Sequence, residues 1–330
     1  MNFQSILLNL SDELKAVTNK VMLVGSYTEE LATDTSDIDL YVFTDSDFQG
    51  EYFSSLSGRV FNGRPVEISI IDREEVKKCI KMYQYPSYSS FDPRELERLH
   101  KIIKSKVLYQ KPAFESPEFD VDIFNKKMVA YYDAYLTDIW LDLIGSYNGK
   151  DIHSTVGFAD FMVETAIDAW LAHCGDTYPK SKWRAKRVLR LKEIKPDIVE
   201  HYIDHRFDIK YNKVTECPRY LADCLRLIFR LKQDIFTSEL SDLPPSKAGI
   251  LKPAQLYFVY ESNLGFYIHT CDKVLQIDRA TAEIFYCLHR NFNATDMARH
   301  LSMSGQRSAD TNSIQSKIAK LLELQLLSMD

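Results

Sequence analysis

The sequence lacks the features that define several specialised classes of protein. Its 330 residues include only 11 glycines and 11 prolines, too few for a collagen-like or linker-rich chain. No run of about 18 apolar residues occurs, so we expect no membrane span, and the first residues lack the basic segment of a secretion signal. The six cysteines form no CxxC pair, which is typical of a reduced, cytoplasmic protein.

An excess of positive charge is also missing. The 41 basic and 47 acidic residues give a net charge of −6, so a nucleic-acid partner is not expected. Apolar residues at 45% and charged residues at 27% are typical of a globular chain. Because 330 residues exceed one ordinary hydrophobic core, two or three domains are expected.

The hydrophobic pattern changes twice along the chain and predicts an α+β protein of three domains. Residues 1–112 read as an α/β domain, residues 113–245 as a helical bundle and residues 250–330 as a unit of strands followed by helices. A proline-containing linker is predicted at residues 243–249. The predicted strands are 21–24, 38–43, 66–71, 256–260, 265–269 and 274–277, and the main predicted helices are 126–144, 156–173, 280–290, 294–301 and 313–327.

Carboxylates near a Gly-Ser turn are the sharpest chemical signal. Gly25-Ser26 ends an apolar run, Asp37 and Asp39 flank Ile38, and Glu67 lies within another β-branched run. Side chains alternate along a strand, so the two aspartates point the same way. They repel each other unless a cation lies between them, and such oxygen ligands suit Mg²⁺. Because glycine lets a phosphate approach the backbone, these residues predict a phosphoryl-transfer site.

The same residues resemble the DNA polymerase β-like nucleotidyltransferase superfamily, which includes the aminoglycoside nucleotidyltransferases. The resemblance covers roughly residues 20–75. It implies that Asp37, Asp39 and Glu67 are catalytic carboxylates that hold two Mg²⁺ ions. It also implies that Gly25 and Ser26 contact the triphosphate of ATP or another NTP. Tyr178-Pro179 followed by Lys182-Trp183 resembles a recurrent segment of the family, which implies that Lys182 reaches the nucleotide phosphates.

Glu29-Glu30 departs from the pattern of many members, which have Arg-Gly after the Gly-Ser pair. Two acids beside a triphosphate would weaken nucleotide binding unless they point away or metal ions offset their charge. A fold retained without activity therefore stays open as an alternative.

The second predicted helix carries an acidic stripe in which Asp160, Glu164 and Asp168 recur every four residues. This stripe is a candidate source of the general base. If the stripe faces a cleft, Glu164 is the candidate catalytic base; a solvated face is the alternative. His201 and His205 have the spacing of metal ligands, but without a third ligand we expect a surface pair.

The C-terminal unit resembles the PqqD-like domain, or RiPP recognition element, a winged-helix module that binds leader peptides. The segment from Val274 to Asp278 and the following helix, which begins near Ala280, carry the resemblance. It implies that an extended peptide adds alongside Val274, Leu275, Gln276 and Ile277 and packs on the last helix. A winged helix that packs only on its own chain or mediates dimerisation is the alternative.

Together these features predict a Mg²⁺-dependent nucleotidyltransferase. It would transfer a nucleoside monophosphate, expected to be AMP from ATP, to an acceptor on a ribosomally made precursor peptide held by the C-terminal domain. Two other functions stay open: the acceptor is a small molecule such as an aminoglycoside, or the chain is an inert peptide-binding adaptor. The acceptor, the nucleobase and the oligomeric state are not specified by the sequence.

Overall fold

A computed structural model describes eleven stretches of the chain, which are residues 12–44, 60–61, 63–88, 91–114, 117–236, 250–253, 257–262, 264–270, 273–288, 292–303 and 311–329. The chain divides into two compact units: Met1–Lys127 with Asp176–Lys186, and Met128–Gly175 with Arg187–Asp330. The boundaries of the three expected domains stay a prediction, and the predicted linker at 243–249 lies outside the described residues.

The first unit is built on a five-stranded sheet whose strands are β1 (Thr18–Val24), β2 (Ile38–Thr44), β3 (Val60–Phe61), β4 (Arg64–Ile71) and β5 (Lys106–Gln110). Their order in the sheet is β3-β4-β2-β1-β5. Strands β1 and β2 are antiparallel, whereas β2 and β4 are parallel. The predicted strands at 21–24, 38–43 and 66–71 fall within β1, β2 and β4, and the expected α+β class is confirmed. The described helices of this unit are α1 (Asp12–Val17), α2 (Arg73–Gln84), α3 (Pro93–Ile103) and the start of α4 (Val121–Asn148).

Alternation along the central strands gives the sheet two different faces. One face is an apolar core whose buried members are Leu14, Val21, Leu23, Ile38, Leu40, Val42, Val66 and Ile68. Because side chains alternate, the residues between them, including Asp39 and Glu67, lie on the opposite face. Burial of the apolar set therefore fixes where the acidic side chains point.

Helix α3 begins at a strong N-terminal signal. The Asp92 side chain accepts a hydrogen bond from the backbone of Arg94, the Glu95 side chain caps in return, and Pro93 occupies the first turn. This arrangement satisfies backbone donors that would otherwise have no partner. Leu96, Leu99 and Ile102 are buried, so packing fixes the rotation of the helix and places His100 and Lys101 on defined sides.

The second unit consists of helices followed by small sheets. The described elements are the continuation of α4, then α5 (Ile152–His173), α6 (Arg184–Leu189), α7 (Pro196–Phe207), α8 (Cys217–Phe236), β6 (Leu251–Pro253), β7 (Tyr257–Ser262), β8 (Gly265–Thr270), β9 (Val274–Ile277), α9 (Arg279–Cys287), α10 (Ala294–Met303), α11 (Thr311–Glu323) and β10 (Leu327–Met329). No helix within the described ranges is long and apolar enough to cross a bilayer.

A buried ion pair lies within this second unit. The Lys232 ammonium is 2.5 Å from an Asp133 carboxylate oxygen and donates to the Val259 carbonyl at 3.0 Å. The lysine side chain is only 1% exposed and its charge lies over the Phe258 ring, 4.5 Å from the centroid. Helices α4 and α8 and strand β7 thus share one fully enclosed cation, which is tolerated because it is paired and hydrogen-bonded.

The described residues of the C-terminal part include the three-stranded antiparallel sheet β7-β8-β9 and the helices α9, α10 and α11, close to the predicted positions. The predicted end of the last helix at residue 327 is wrong, because α11 stops at Glu323 and residues 327–329 pair with β6. Gln325 adopts a positive φ of 55°, and the Leu326 and Gln325 amides donate back to Leu321 and Leu322. This is a Schellman-type stop in which glutamine occupies the place usually held by glycine.

Candidate active site

Asp37, Asp39 and Glu67 are brought together by strand pairing. Asp39 on β2 lies directly opposite Glu67 on β4 in the parallel register, and Asp37 shares the face of Asp39. Each carboxylate offers an oxygen, and these oxygens lie within 4.8 Å of one another. All three side chains are partly exposed. The donor set fits a hard divalent cation, which prefers carboxylate oxygens and completes its shell with water or phosphate. That these residues act as ligands stays a prediction.

Gly25 lies against the same carboxylates. It follows β1, whose last residue Val24 pairs with Asp39, and it has a φ of +77°. A Cβ atom at this position would be only 2.2 Å from Asp39 Oδ2. Glycine is therefore required for two reasons, the left-handed backbone and the direct approach to the acid. Ser26 is buried, and its carbonyl accepts from the amides of Leu31 and Ala32 at 2.9 and 3.0 Å.

The electrostatics of the cluster favour a cation. Burial, together with the nearby charges of Asp37 and Glu67, raises the pKa of Asp39 to about 6, although Lys101 and Lys180 act in the opposite direction. Crowded carboxylates hold protons more tightly because their charges repel. A divalent cation would relieve that repulsion, which is the physical reason for regarding the cluster as a metal site.

Two lysines beside the cluster were not predicted from the sequence. Burial would lower the pKa of Lys101, but Asp39, Tyr41 and Glu97 together raise it. The Glu97 carboxylate lies 3.4 Å from the Lys101 ammonium and 2.6 Å from that of Lys180. Glu97 thus holds two cations whose charge reaches Asp39. Lys101 stands in an ordinary amphipathic helix, which gives no local signal; Lys180 stands within the Tyr-Pro segment already singled out.

Lys182 lies in the 3₁₀ turn Ser181–Trp183 of the first unit and is exposed. Its ammonium lies over the Trp183 ring, 5.6 Å from the centroid, and Lys186 lies over the same ring at 5.5 Å. The charge that acts on Asp39 from this segment is that of Lys180. A role of Lys182 at the nucleotide phosphates stays a prediction.

Glu29, the departure from the family pattern, is not a member of the carboxylate cluster. Its carboxylate oxygen lies 3.0 Å from Nε2 of His100, and its side chain is 13% exposed. Glu30 is exposed and has a φ of 56°. The acid that stands in place of arginine therefore has a partner within its own unit, the His100 ring.

The acidic stripe of α5 pairs with cations of its own unit. Glu164 lies 3.4 Å from Arg206, and Asp160 lies 2.8 Å from Lys213. Asp168 lies 3.3 Å from the buried Arg187. The stripe is thus an ion-paired face rather than a plainly solvated one. The role of Glu164 as general base stays a prediction.

The expectation of a surface histidine pair is wrong for His205, which is only 8% exposed. Its ring stacks on Tyr220 with centroids 5.7 Å apart, and its Nε2 lies 3.9 Å from the Cys224 sulfur. Burial, then the charges of Lys213 and His201, lower its pKa to about 4. Packing against an aromatic ring, which sequence spacing does not reveal, accounts for the difference.

The residues predicted to bind a peptide form β9. This strand pairs with β8 along Val274 to Ile277, and within the described residues no strand pairs with its other side. Val274 is 49% exposed, and Gln276 is also exposed, with its amide donating to the Leu264 carbonyl at 2.9 Å. An edge of this kind can accept a further strand; that it does so here stays a prediction.

Residues 5–110 match the family model described as "Nucleotidyltransferase domain". The expectation of an enzyme of the nucleotidyltransferase class is confirmed by this match, which supports transfer of a nucleoside monophosphate in general. The match does not reach the C-terminal residues, whose resemblance to the PqqD-like domain stays a prediction. No curated protein matches the sequence.

Two solved structures are similar to this chain at low identity. One is a nucleotidyltransferase-like protein from Exiguobacterium sibiricum, with 12% identity, 74% of this chain and 82% of that chain covered, and a TM-score of 0.40. The other is the spectinomycin adenyltransferase AAD(9) from Enterococcus faecialis with ATP and spectinomycin, with 16% identity, 69% and 98% coverage, and a TM-score of 0.30. Likeness at this level does not assign a substrate.

Proposed function

We propose that this protein is a Mg²⁺-dependent nucleotidyltransferase that transfers a nucleoside monophosphate, AMP from ATP, to an acceptor on a peptide. The observation that carries the proposal is the convergence of Asp37, Asp39 and Glu67 beside the Gly25 turn. In the reaction an acceptor oxygen forms a bond to the α-phosphorus. The bond from that phosphorus to the bridging oxygen of the β-phosphate breaks, and pyrophosphate leaves.

Different residues of this chain would bind the nucleotide, hold the metal ions and supply positive charge. Gly25 lets the backbone of the turn lie directly against Asp39, the Gly25-Ser26 turn would contact the triphosphate, and the three carboxylates would hold two Mg²⁺ ions. Held by these residues, Mg²⁺ would supply charge that neutralises the developing negative charge on the phosphates. Lys101 and Lys180, held by Glu97, supply positive charge at the same face. The acceptor proton passes to a base, for which Glu164 remains the candidate.

The peptide acceptor is the finer part of the proposal. What supports it is the exposed edge of β9, whose backbone can hydrogen-bond an extended chain while alternate side chains read its sequence. A tethered leader raises the effective concentration of the reacting segment, so the active site itself needs little affinity for it.

Transfer of label from α-³²P-ATP in the presence of Mg²⁺ tests the proposal. The full chain is incubated with candidate precursor peptides or with aminoglycosides, and label on the acceptor is measured together with released pyrophosphate. Label on a peptide supports the proposal, whereas label on an aminoglycoside alone replaces the peptide by a small molecule. ATP binding without transfer to either class supports the inert adaptor.

Matched variants separate chemistry from folding. Asp37→Asn and Asp39→Asn should each abolish transfer while the protein stays folded. Asp34→Asn removes an exposed carboxylate from the same loop and should leave transfer unchanged. If both cluster variants retain transfer at the rate of Asp34→Asn, the three carboxylates are not the catalytic centre.

A further inference from the structure

We propose that His100 is a positioning residue that couples the Gly25-Ser26 turn to the segment from Thr177 to Lys182. The inference rests on the proposed function, because both elements are expected to contact the nucleotide. His100 lies on α3 and is 2% exposed. Its two ring nitrogens make one contact each, with residues that are far apart in sequence.

The two contacts leave the imidazole ring in diverging directions. Nε2 lies 3.0 Å from an oxygen of Glu29, four residues beyond Gly25, and Nδ1 lies 2.9 Å from the hydroxyl of Thr177. Thr177 is 1% exposed. The ring also packs against Tyr178, with centroids 5.6 Å apart. His100 and Thr177 are both buried, so the contact between them is worth more than it would be in water.

One tautomer satisfies every partner. A carboxylate can only accept, so Nε2 of His100 donates to Glu29. In the neutral ring Nδ1 then accepts from the Thr177 hydroxyl. The chain of groups therefore runs in a single direction, from the hydroxyl through the ring to the acid. Removing either end leaves a buried nitrogen without its partner, which disfavours the present position of the ring.

Each of the coupled elements has a second anchor. Lys180 pairs with Glu97 of α3 at 2.6 Å, roughly one helical turn before His100. Lys186 donates to the Leu31 carbonyl in the turn that carries Glu29, at 3.3 Å. The turn, α3 and the segment beyond Thr177 thus contact one another pairwise. Of these three connections, the one made by His100 is the most buried. Water therefore competes least with the hydrogen bonds of His100.

This coupling assigns a structural role to Glu29. An acid beside the expected triphosphate site would repel nucleotide, but the Glu29 carboxylate accepts a hydrogen bond from the His100 ring. That ring in turn aligns the two elements that are expected to contact the phosphates, the Gly25-Ser26 turn and the segment from Thr177 to Lys182. The consequence is that a change at Thr177 should alter a turn that lies about 150 residues earlier in the sequence.

The experiment measures Mg·ATP affinity and amide hydrogen exchange in the full chain. Thr177→Val removes the hydroxyl while keeping the side-chain shape, and His100→Ala removes the ring. Both should weaken Mg·ATP binding about tenfold. They should also speed exchange of the Leu31 and Ala32 amides, which are bonded to the Ser26 carbonyl. Thr177→Ser retains the hydroxyl and should restore both properties.

A control and a double variant separate positioning from general destabilisation. Tyr83→Phe removes a hydroxyl that accepts from the Asp120 amide at 2.9 Å in the same unit, and it should change neither measurement. Adding Thr177→Val to His100→Ala should produce no further loss, because the hydroxyl acts through the ring.

The outcomes are distinct. Unchanged affinity and unchanged exchange in Thr177→Val overturn the inference, as do equal losses in Thr177→Ser or full additivity in the double variant. If the unmodified protein binds no nucleotide, the proposed function fails, while the exchange of Leu31 and Ala32 in Thr177→Val still decides the coupling.

Discussion

Replacing Gly25 by alanine perturbs the carboxylate cluster in a way that the structure makes measurable. Gly25 and Gly63 have nearly the same backbone conformation, with φ of +77° and +78°. They differ in surroundings: a Cβ at Gly25 would lie 2.2 Å from Asp39 Oδ2, whereas at Gly63 no atom of the described chain would lie within 4 Å. Gly63→Ala is therefore a matched control that carries the backbone strain alone.

The expected magnitudes follow from this difference. Forcing alanine into the left-handed region costs about 1–2 kcal/mol at either site. Ordinary contact begins at about 3.5 Å, so in Gly25→Ala the Asp39 carboxylate must move by about 1 Å. Such overpacking adds about 1–3 kcal/mol of destabilisation, and a displacement of this size can lower the rate of nucleotidyl transfer about 100-fold.

Urea unfolding of both variants gives the free energies, and pyrophosphate release gives the rates. Gly63→Ala should lose about 1–2 kcal/mol of unfolding free energy and keep its rate. Gly25→Ala should lose more free energy and nearly all activity. Equal losses of free energy in the two variants, together with an unimpaired rate in Gly25→Ala, would refute the close approach of Gly25 to Asp39 as the reason for glycine.

Three further predictions concern ionisable side chains that are buried or partly buried. Burial, with its acidic neighbours, raises the pKa of Asp39 from 3.8 to about 6, so in EDTA the folded protein should lose stability as the pH rises from about 4 to 6. Asp39→Asn should remove this dependence and gain about 1–2 kcal/mol at pH 7 in urea unfolding. No gain would contradict the cost of burying the charged Asp39 carboxylate beside its acidic neighbours. The pKa of His205, lowered from 6.5 to about 4 by burial and Lys213, predicts stability that is present above pH 6.5 and falls as the pH drops toward 4. Urea unfolding should show a loss of about 2–3 kcal/mol that is absent in His205→Gln, and an equal loss in that variant would assign the effect to another group. Lys232→Met leaves Asp133 buried without its cation and should cost about 3–5 kcal/mol, most of which the double variant with Asp133→Leu should recover. A double variant as unstable as the single one would show that the ion pair is not the cause.

Much of the first unit was predictable because its signals are local. Apolar runs at β1, β2 and β4 and the turn residues between them predict the strands. The alternation of Asp37, Ile38 and Asp39 predicts that the two acids share a face. The parallel register that sets Asp39 opposite Glu67 depends on pairing between distant segments. The sequence predicts Glu67 on another strand, where it could be a third carboxylate beside the aspartates, but it does not specify this register.

The groups that sequence reasoning missed act through long-range contacts. Lys101 and Lys180 share the partner Glu97, and their charges act on Asp39. Lys101 stands in no motif, and Lys180 lies in the Tyr-Pro segment in which only Lys182 was singled out. The partner of Glu29 lies 71 residues away at His100. The end of α11 was missed for another reason: Gln325 adopts the left-handed conformation at a position where glycine is the usual signal.

The two-residue periodicity of β4 has a consequence for how this chain can change over time. Val66 and Ile68 are held on the buried side by the apolar face, and Glu67 is turned outward between them. A single inserted or deleted residue inside this strand would exchange the sides and bury the acid. Lineages descended from this chain should therefore conserve the spacing within β4 even where surface segments lengthen or shorten. Hydrophobic packing of Val66 and Ile68 thus keeps Glu67 on the side of the sheet where Asp39 lies.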